Sequence, residues 1–370
     1  MSQPAPQVLI VGAGPTGLAA ALFLTRAGVA VRIIDAAEAP TTTSKALAVN
    51  PRTLELLGPT GVAAEILTQG QPISAIRIAR EGRITAKLRP DWARIAPGRP
   101  MTILPQARTE ALLAEALAAL GVIPERGLAL TGLSQTHDAV KATLSTGETV
   151  TAALLLGADG AHSTVRHALN LDFSGDASPL PWQLMDVDIA GAASDEARID
   201  FQRAGPIVAL PFSGGTFRLI GFGDDLLSRL PPGWKAGQIR WQSEFKVSHR
   251  MVSTMTIGRI ALAGDAAHIH SPVGGRGMNL GIEDAFVFAT CAVDVLNGDP
   301  SRLDDYSRLR HPIDAAWVKM ARRLTAFVAD QSPTARLLKR IAPPVLAAVP
   351  GLVDQALKRG LGLDHPTDVR

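Results

Sequence analysis

The chain of 370 residues has one cysteine, Cys291, and one tyrosine, Tyr306. A lone thiol supports neither an intramolecular disulfide nor a thiolate metal cluster. Cys291 runs into the apolar helical face of Ala292, Val293, Val295 and Leu296, so a buried, inert thiol is expected. Aromatic residues of every kind are sparse, at 4%. An excess of one charge is also missing: 37 Lys and Arg against 34 Asp and Glu leave +3. The basic pairs Arg322–Arg323, Lys339–Arg340 and Lys358–Arg359 lie far apart, whereas a nucleic-acid surface needs its basic residues clustered. No apolar run reaches the roughly 18 residues of a membrane span. Residues 1–7 lack a basic n-region, so no secretory signal is expected and the cytoplasm is the default location.

Apolar surface is abundant. At 46% hydrophobic and 19% charged, the chain can bury a core without staples and is too apolar for disorder. Residues 7–11 read as a buried strand, followed by an apolar helix to about Ala27 and a second strand, Val29–Ile34, ending on Asp35. That is a βαβ unit. Alternation over 73–90 predicts a hairpin around Glu81-Gly82. Residues 105–120 predict a helix, and Ala152–Leu156 a buried strand. From about 171 to 250, short alternating stretches between Gly, Pro and Ser clusters predict an antiparallel sheet in a second lobe. Residues 301–363 read as helical with proline breaks. Ile341–Val353, apolar with three prolines, is expected to pack as a cap over the core.

Three motifs carry chemistry. In Gly12-x-Gly14-x-x-Gly17 the glycines permit a tight turn, close backbone approach to a pyrophosphate, and close helix–strand packing. Pro15 and Thr16 open the following helix, whose N-terminal amides can face phosphate oxygens. A carboxylate at Asp35 accepts from ribose hydroxyls and repels a 2′-phosphate, which suits FAD or NAD. The second motif, Gly157-Ala-Asp159-Gly160-Ala-His-Ser163-Thr-Val-Arg166, reads as a strand, a polar turn and a helix start. The third runs Gly264-Asp265-Ala-Ala-His268-Ile-His270-Ser-Pro272-Val-Gly274-Gly275-Arg-Gly277-Met278-Asn279. There an acid leaves a strand end and a glycine-rich loop enters a long helix, so backbone can press on a flat ligand and helix amides can face negative charge. His268 and His270 lack a third ligand and a second shell, and no metal site is expected.

In this order and spacing the three motifs resemble those of the FAD-dependent aromatic hydroxylases, the single-component flavoprotein monooxygenases with the para-hydroxybenzoate hydroxylase fold. The resemblance covers about residues 7–315. Lys45-Ala-Leu-Ala-Val-Asn-Pro-Arg52-Thr-Leu-Glu55 is similar to the family's segment past the pyrophosphate and the ring. Pro105-Gln106-x-x-x-Glu110 resembles its flavin-contacting helix. The implied fold is α/β, with a discontinuous Rossmann-type βαβ FAD-binding domain over 1–72, 95–170 and 255–300. A mixed or antiparallel-sheet substrate lobe follows over 73–94 and 171–254, and a C-terminal helical region over 301–370.

The implied cofactor is FAD, with NADPH or NADH and O₂ as co-substrates. The implied activity is hydroxylation of an aromatic or related electron-rich small molecule through a flavin C4a-hydroperoxide. A same-fold epoxidase, halogenase or reductase is the alternative, with a non-catalytic FAD or NAD binder as the reading from another class. Carried over by position, Gly12, Gly14, Pro15, Thr16, Gly17 and Asp35 hold the ADP half of FAD. Lys45 stands where the family usually has arginine, a point charge in place of a fork. Gln106 and Asp265 contact the ribityl chain, and Asp159 and Arg166 belong to the motif linked to FAD and NAD(P)H. Pro272, Gly274, Gly275, Gly277, Met278 and Asn279 line the isoalloxazine, with Pro272, Gly274 and Gly275 on the oxygen side. Leu210, Pro211, Phe212, Arg218, Phe222 and His249 are substrate candidates by position. Homodimerisation is left open. Tyr306 falls outside the lobe and the flavin loop, so phenol activation would fall to histidine, arginine or water, or the substrate needs none.

Overall fold

The computed structural model describes residues 6–42, 46–223, 225–349 and 351–367. In chain order the elements that build the site are β1 (Val8–Val11), α1 (Pro15–Arg26), β2 (Val31–Asp35), β3 (Ala75–Arg80), β4 (Arg83–Leu88), α2 (Gln106–Ala118), β5 (Leu154–Gly157), α3 (Thr164–Ala168), β6 (Phe173–Ala190), β7 (Glu196–Gln202), β8 (Gly205–Pro211), β9 (Thr216–Phe222), β10 (Lys235–Val252), β11 (Ile260–Leu262), β12 (His268–Ile269), α4 (Gly277–Leu296), α5 (Arg302–Ala329) and α6 (Pro333–Ala348).

A six-stranded sheet has the order Thr256–Ile257, β11, β5, β1, β2, Glu125–Arg126. It is parallel except at Thr256–Ile257. Every residue of β1 and β5 is buried, as continuous apolar strands are when both faces of a parallel sheet are covered. Bare backbone brings α1 and α4 together. A Cβ at Gly264 would come within 2.6 Å of Thr16 Oγ1, and one at Gly281 within 2.2 Å, so Thr16 is wedged between two glycines.

The second sheet has eight strands in the order β12-β10-β6-β9-β8-β7-β3-β4. Its outer hairpin turns at Glu81 and Gly82 with φ of +47° and +78°, the positive pair a two-residue hairpin turn requires. The short strands expected from the pattern are present as β7, β8 and β9, of seven residues each, but the rest merge into two antiparallel strands of 18 residues, β6 and β10. Their register shifts at Ala177/Pro181, Asp186/Val187 and Val187/Ile189. The first skips two residues on β6 and the other two each insert one on β10, and these irregularities interrupt the alternation, so one long strand reads as fragments. The lobe has its own small core, including Met185, Val187, Phe217 and Leu219. β12 pairs with β10 through Ile269–Arg250 and His268–Met251, which stitches the lobe to the approach of the glycine-rich loop.

The C-terminal region is helical as expected, with a break just before Pro333, but not every proline there is a break. α5 runs through Pro312 and α6 through Pro343 and Pro344, since an interior proline removes one donor and can bend a helix without ending it. The expected cap is only half packed. Ile341 and Val345 on α6 stay 49% and 51% exposed. Among the described residues, no helix is long and apolar enough to cross a membrane.

Candidate active site

A cavity of about 1240 Å³ runs from the carboxyl ends of β1 and β2 to the inner face of the eight-stranded sheet. That exceeds the roughly 300–1,000 Å³ of a single small-molecule pocket. Its first part is built from backbone. Gly12, at φ +106°, would place a Cβ 2.3 Å from the Ala158 carbonyl, and Gly17 one 1.9 Å from the Gly12 carbonyl. Gly14 differs: a Cβ there meets nothing within 4 Å, and the residue lines the cavity with Ala13, Pro15 and Thr16. Gly14 is also the N-cap of α1 and supplies no side-chain cap. The first-turn amides therefore have no intrahelical acceptor and face the cavity's anion-attracting end. Asp35 accepts from the Ala13 and Ala37 amides at 2.6 and 2.8 Å, and Arg126 stands 3.8 Å from it. An open glycine, free helix amides and a strand-end carboxylate together fit a dinucleotide.

Gln106 lies further along the wall. Its amide oxygen accepts from the Ala46 amide at 3.2 Å, and its nitrogen donates to Glu110 at 2.8 Å. Burial pushes the Glu110 carboxyl above its usual range. Lys45 lies outside the described residues. Asp159 turns into α3, accepting from Ser163 Oγ at 2.5 Å and the Val165 amide at 3.1 Å. Arg166 lines the cavity with its guanidinium donating to the Ala266 and Ala161 carbonyls and stacked 4.0 Å over Phe173.

The glycine-rich loop is held from behind. Asn279 is fully buried. Its Nδ2 donates to the Ala48 and Gly275 carbonyls, and its Oδ1 accepts from the Asn50 amide and Thr53 Oγ1. With every polar atom engaged, Asn279 secures the loop from the protein side. Gly274, at φ +92°, sits where a Cβ would meet the Trp317 ring at 2.9 Å. Asp265, Pro272, Gly275, Gly277 and Met278 line the cavity, and at the two glycines only backbone can do so. Arg276 also lines it, held by Glu283 at 2.9 Å and stacked 4.7 Å over Trp317.

Beneath the loop lies a buried ionic cluster. Arg310 donates to Asp284 at 2.8 Å, Asp314 at 2.9 Å and Glu283 at 3.3 Å. His268 meets Asp284 at 2.8 Å and Asp314 at 3.6 Å. Burial opposes the charge on His268, but Asp314 and Asp284 outweigh it and push the imidazolium up to about 9. Burial raises the Asp314 carboxyl to about 8 despite Arg310. His268, Asp284 and Asp314 have the spacing of a metal triad, but the Arg310 guanidinium already supplies the cation there.

The far wall belongs to the lobe. Leu184, Leu210, Arg218, Ile220, Phe245 and Val247 line it. Arg218 is 1% exposed and grips Asp186 through Nε and Nη2, both at 2.7 Å. The other sequence candidates stand elsewhere. Phe212 packs against the Leu47, Ile73, Ile103 and Ala197 cluster, and Pro211 is buried in the sheet. Phe222 stacks on Trp182 at 4.3 Å. His249 turns to Asp176, 3.9 Å away, and burial lowers its pKa. Tyr306 is fully buried, donates to the Leu262 carbonyl at 2.7 Å and does not line the cavity. Burial raises its pKa well above the usual tyrosine value. Cys291 is buried with its thiol pushed up to about 11. Sequence reasoning missed Arg126, Phe173, Leu184, Ile220 and Phe245 as lining residues, together with Trp317 behind the loop. Strand alternation in 216–222 was the available signal for Ile220.

Residues 5–204 and 230–321 match the family model described as FAD binding domain. The chain is 37% identical over 368 residues to 6-methylpretetramide 4-monooxygenase of Streptomyces rimosus, covering 93% of this chain and 66% of that protein. It is 34% identical to the rifampicin monooxygenase of Streptomyces venezuelae, covering 83% of this chain and 68% of that protein. The chain thus spans about two thirds of the length of these curated relatives. The solved p-nitrophenol 4-monooxygenase of Pseudomonas putida superposes with a TM-score of 0.88 over 97% of this chain and 99% of that one, at 22% identity, a likeness of fold alone. The chain belongs to the FAD-dependent aromatic monooxygenases built on this FAD binding domain.

Proposed function

We propose that this chain exercises the family's monooxygenase activity on an aromatic or similarly electron-rich small molecule, with NADPH or NADH as reductant. The supporting observation is the continuity of one cavity. It joins the Gly14 cradle to an apolar chamber floored by Leu184, Leu210, Ile220 and Phe245. A dinucleotide and a flat substrate can therefore meet in a single space. When bound, FAD supplies activated oxygen for transfer to a ring carbon. The chain's own residues bind and orient. The α1 amides and Gly14 would take the pyrophosphate, and Asp35 a ribose. Gln106 and Asp265 would take the linking chain, and the backbone from Pro272 to Met278 the ring. Arg218, immobilised by Asp186, presents a fixed cation to the chamber. The apolar floor keeps the reacting centre dry. A cytoplasmic location, beside a supply of reduced nicotinamide, belongs to this reading.

The test is a visible spectrum of the purified protein, followed by NADPH and NADH consumption with a panel of phenols. Peroxide is scored against hydroxylated product. A yellow protein that couples reductant to product is expected. A colourless protein that stays colourless after added FAD refutes the reading.

A further inference from the structure

His270 lines the cavity one residue beyond β12, at the seam between the lobe sheet and the glycine-rich loop. Its Nδ1–H donates to the Ser271 carbonyl at 2.7 Å, which leaves the lone pair on Nε2. That Nε2 is buried and has no hydrogen-bond partner. It faces Gly277, where even a Cβ would stay 3.9 Å from Nε2 and Cε1. The missing side chain of Gly277 thus leaves a space of about one methyl group beside Nε2. Trp317 closes the ring's other side edge-on at 6.0 Å. An orphaned acceptor in a buried setting is costly unless a ligand or an ordered water satisfies it.

The other proton acceptors on the cavity wall are committed or distant. Asp35 and Glu110 belong to the dinucleotide end, and Asp265 precedes the loop. His162 and His167 sit around α3. The Ser271 hydroxyl accepts from Thr325 at 2.6 Å. Tyr306 is bonded elsewhere. Burial pushes His270 down to about 3, so it remains a neutral acceptor across the working range.

We propose that His270 Nε2 accepts a hydrogen bond from a ring hydroxyl of the substrate, which makes the substrate a phenol and orients its ring beside Pro272. The proposal rests on the aromatic-hydroxylase reading. The bond draws negative charge onto the phenol oxygen, enriches the ring carbons ortho and para to it, and requires no tyrosine.

The test uses the holoenzyme with matched pairs, 1-naphthol against 1-methoxynaphthalene and p-nitrophenol against p-nitroanisole. Dissociation constants are read from perturbation of the flavin spectrum, and product from chromatography. His270→Leu should weaken binding of the phenols roughly 5- to 150-fold and leave the methyl ethers unchanged. His270→Gln, which restores an acceptor, should recover part of the difference. Bound FAD per chain controls for folding. An unchanged phenol-to-ether ratio in His270→Leu overturns the proposal. So does an equal loss for both members of a pair, which would mean that His270 serves the loop or the flavin. If wild type binds and hydroxylates none of the phenols, the broader reading fails and this one falls with it. If wild type hydroxylates a phenol and the variants do so alike, only the role of His270 is lost.

Discussion

Gly14 separates what the fold needs from what the cofactor needs. Its backbone, at φ −79° and ψ −175°, is ordinary extended geometry open to any residue, and a Cβ would touch nothing within 4 Å. Gly14→Ala should therefore change the stability of the FAD-free protein by no more than about 1 kcal/mol, because the narrower unfolded ensemble of alanine is opposed by its poorer fitness at the N-cap of α1. The added methyl points into the cavity at the start of α1, where the pyrophosphate is placed. Losing one hydrogen bond to a charged group costs about 1.5–3 kcal/mol, which corresponds to roughly 10- to 150-fold in Kd. The contrast is Gly17→Ala, whose Cβ would lie 1.9 Å from the Gly12 carbonyl and must distort the fold whether or not FAD is bound. The assay melts each apoprotein after FAD is stripped, then titrates FAD back while flavin fluorescence is followed. If Gly14→Ala binds FAD like wild type, the pyrophosphate does not lie on Gly14. If its apoprotein melts several degrees lower, the open space is not open, and the reasoning fails there instead.

Tyr306→Phe should cost about 1–3 kcal/mol, because the Leu262 carbonyl loses a buried donor. The pH profile of turnover should not change; urea unfolding and a pH–rate series check the two halves. The His268–Asp314 cluster should make the protein less stable in alkali. His268 is raised from 6.5 to about 9 and Asp314 from 3.8 to about 8. The folded state therefore holds protons that the unfolded chain has released, and stability present near pH 6 is lost as pH rises toward 9. Melting temperatures from pH 6 to 9 should fall, less steeply in Asp314→Asn, and a flat wild-type curve would count against the buried cluster. Gly362→Ala would place a Cβ 2.2 Å from Arg276 Nη2 at φ +71°. It should displace Arg276 and shift the bound-flavin spectrum, while Gly360→Ala, with no neighbour within 4 Å, should do neither.

The two ends of the cavity differ in how far the sequence reveals them, and the reason is physical. The dinucleotide end is made from strand ends and glycines whose constraints are local. Gly12, Gly14 and Gly17 fall within one turn and one helix start, and Asp35 ends the next strand. The spacing of Gly264 and Gly281 follows from the need of α1 and α4 to touch over Thr16. Such features survive as short motifs. The chamber end depends on register. In β10, Phe245 and Val247 line the cavity, yet Lys246, Ser248 and Arg250 line it as well. The pairing with β6 skips from Ala177–Ser248 to Pro181–Lys246 there, with two extra residues on β6, and such an irregularity bends the strand and disturbs its alternation. A choice of His249 over its neighbours could not be made from alternation across that irregularity, and His249 stands directly opposite Asp176 in the ladder. Arg218 was legible as a polar residue in an apolar strand, but its tethering by Asp186 joins strands whose pairing no local pattern announces. His270 was visible as half of a His-x-His pair. Its separation from His268, one imidazole sunk in an ionic cluster and the other left with an open acceptor, comes from α5, which supplies Arg310 and Asp314 to the first and Trp317 to the second. On the proposed reading substrate choice rests on long-range pairing, and substitution of Trp317, which packs on His270 and also on Gly274 and Arg276 of the loop, should change the phenol-to-ether binding ratio and FAD affinity together, read by ligand and FAD titrations.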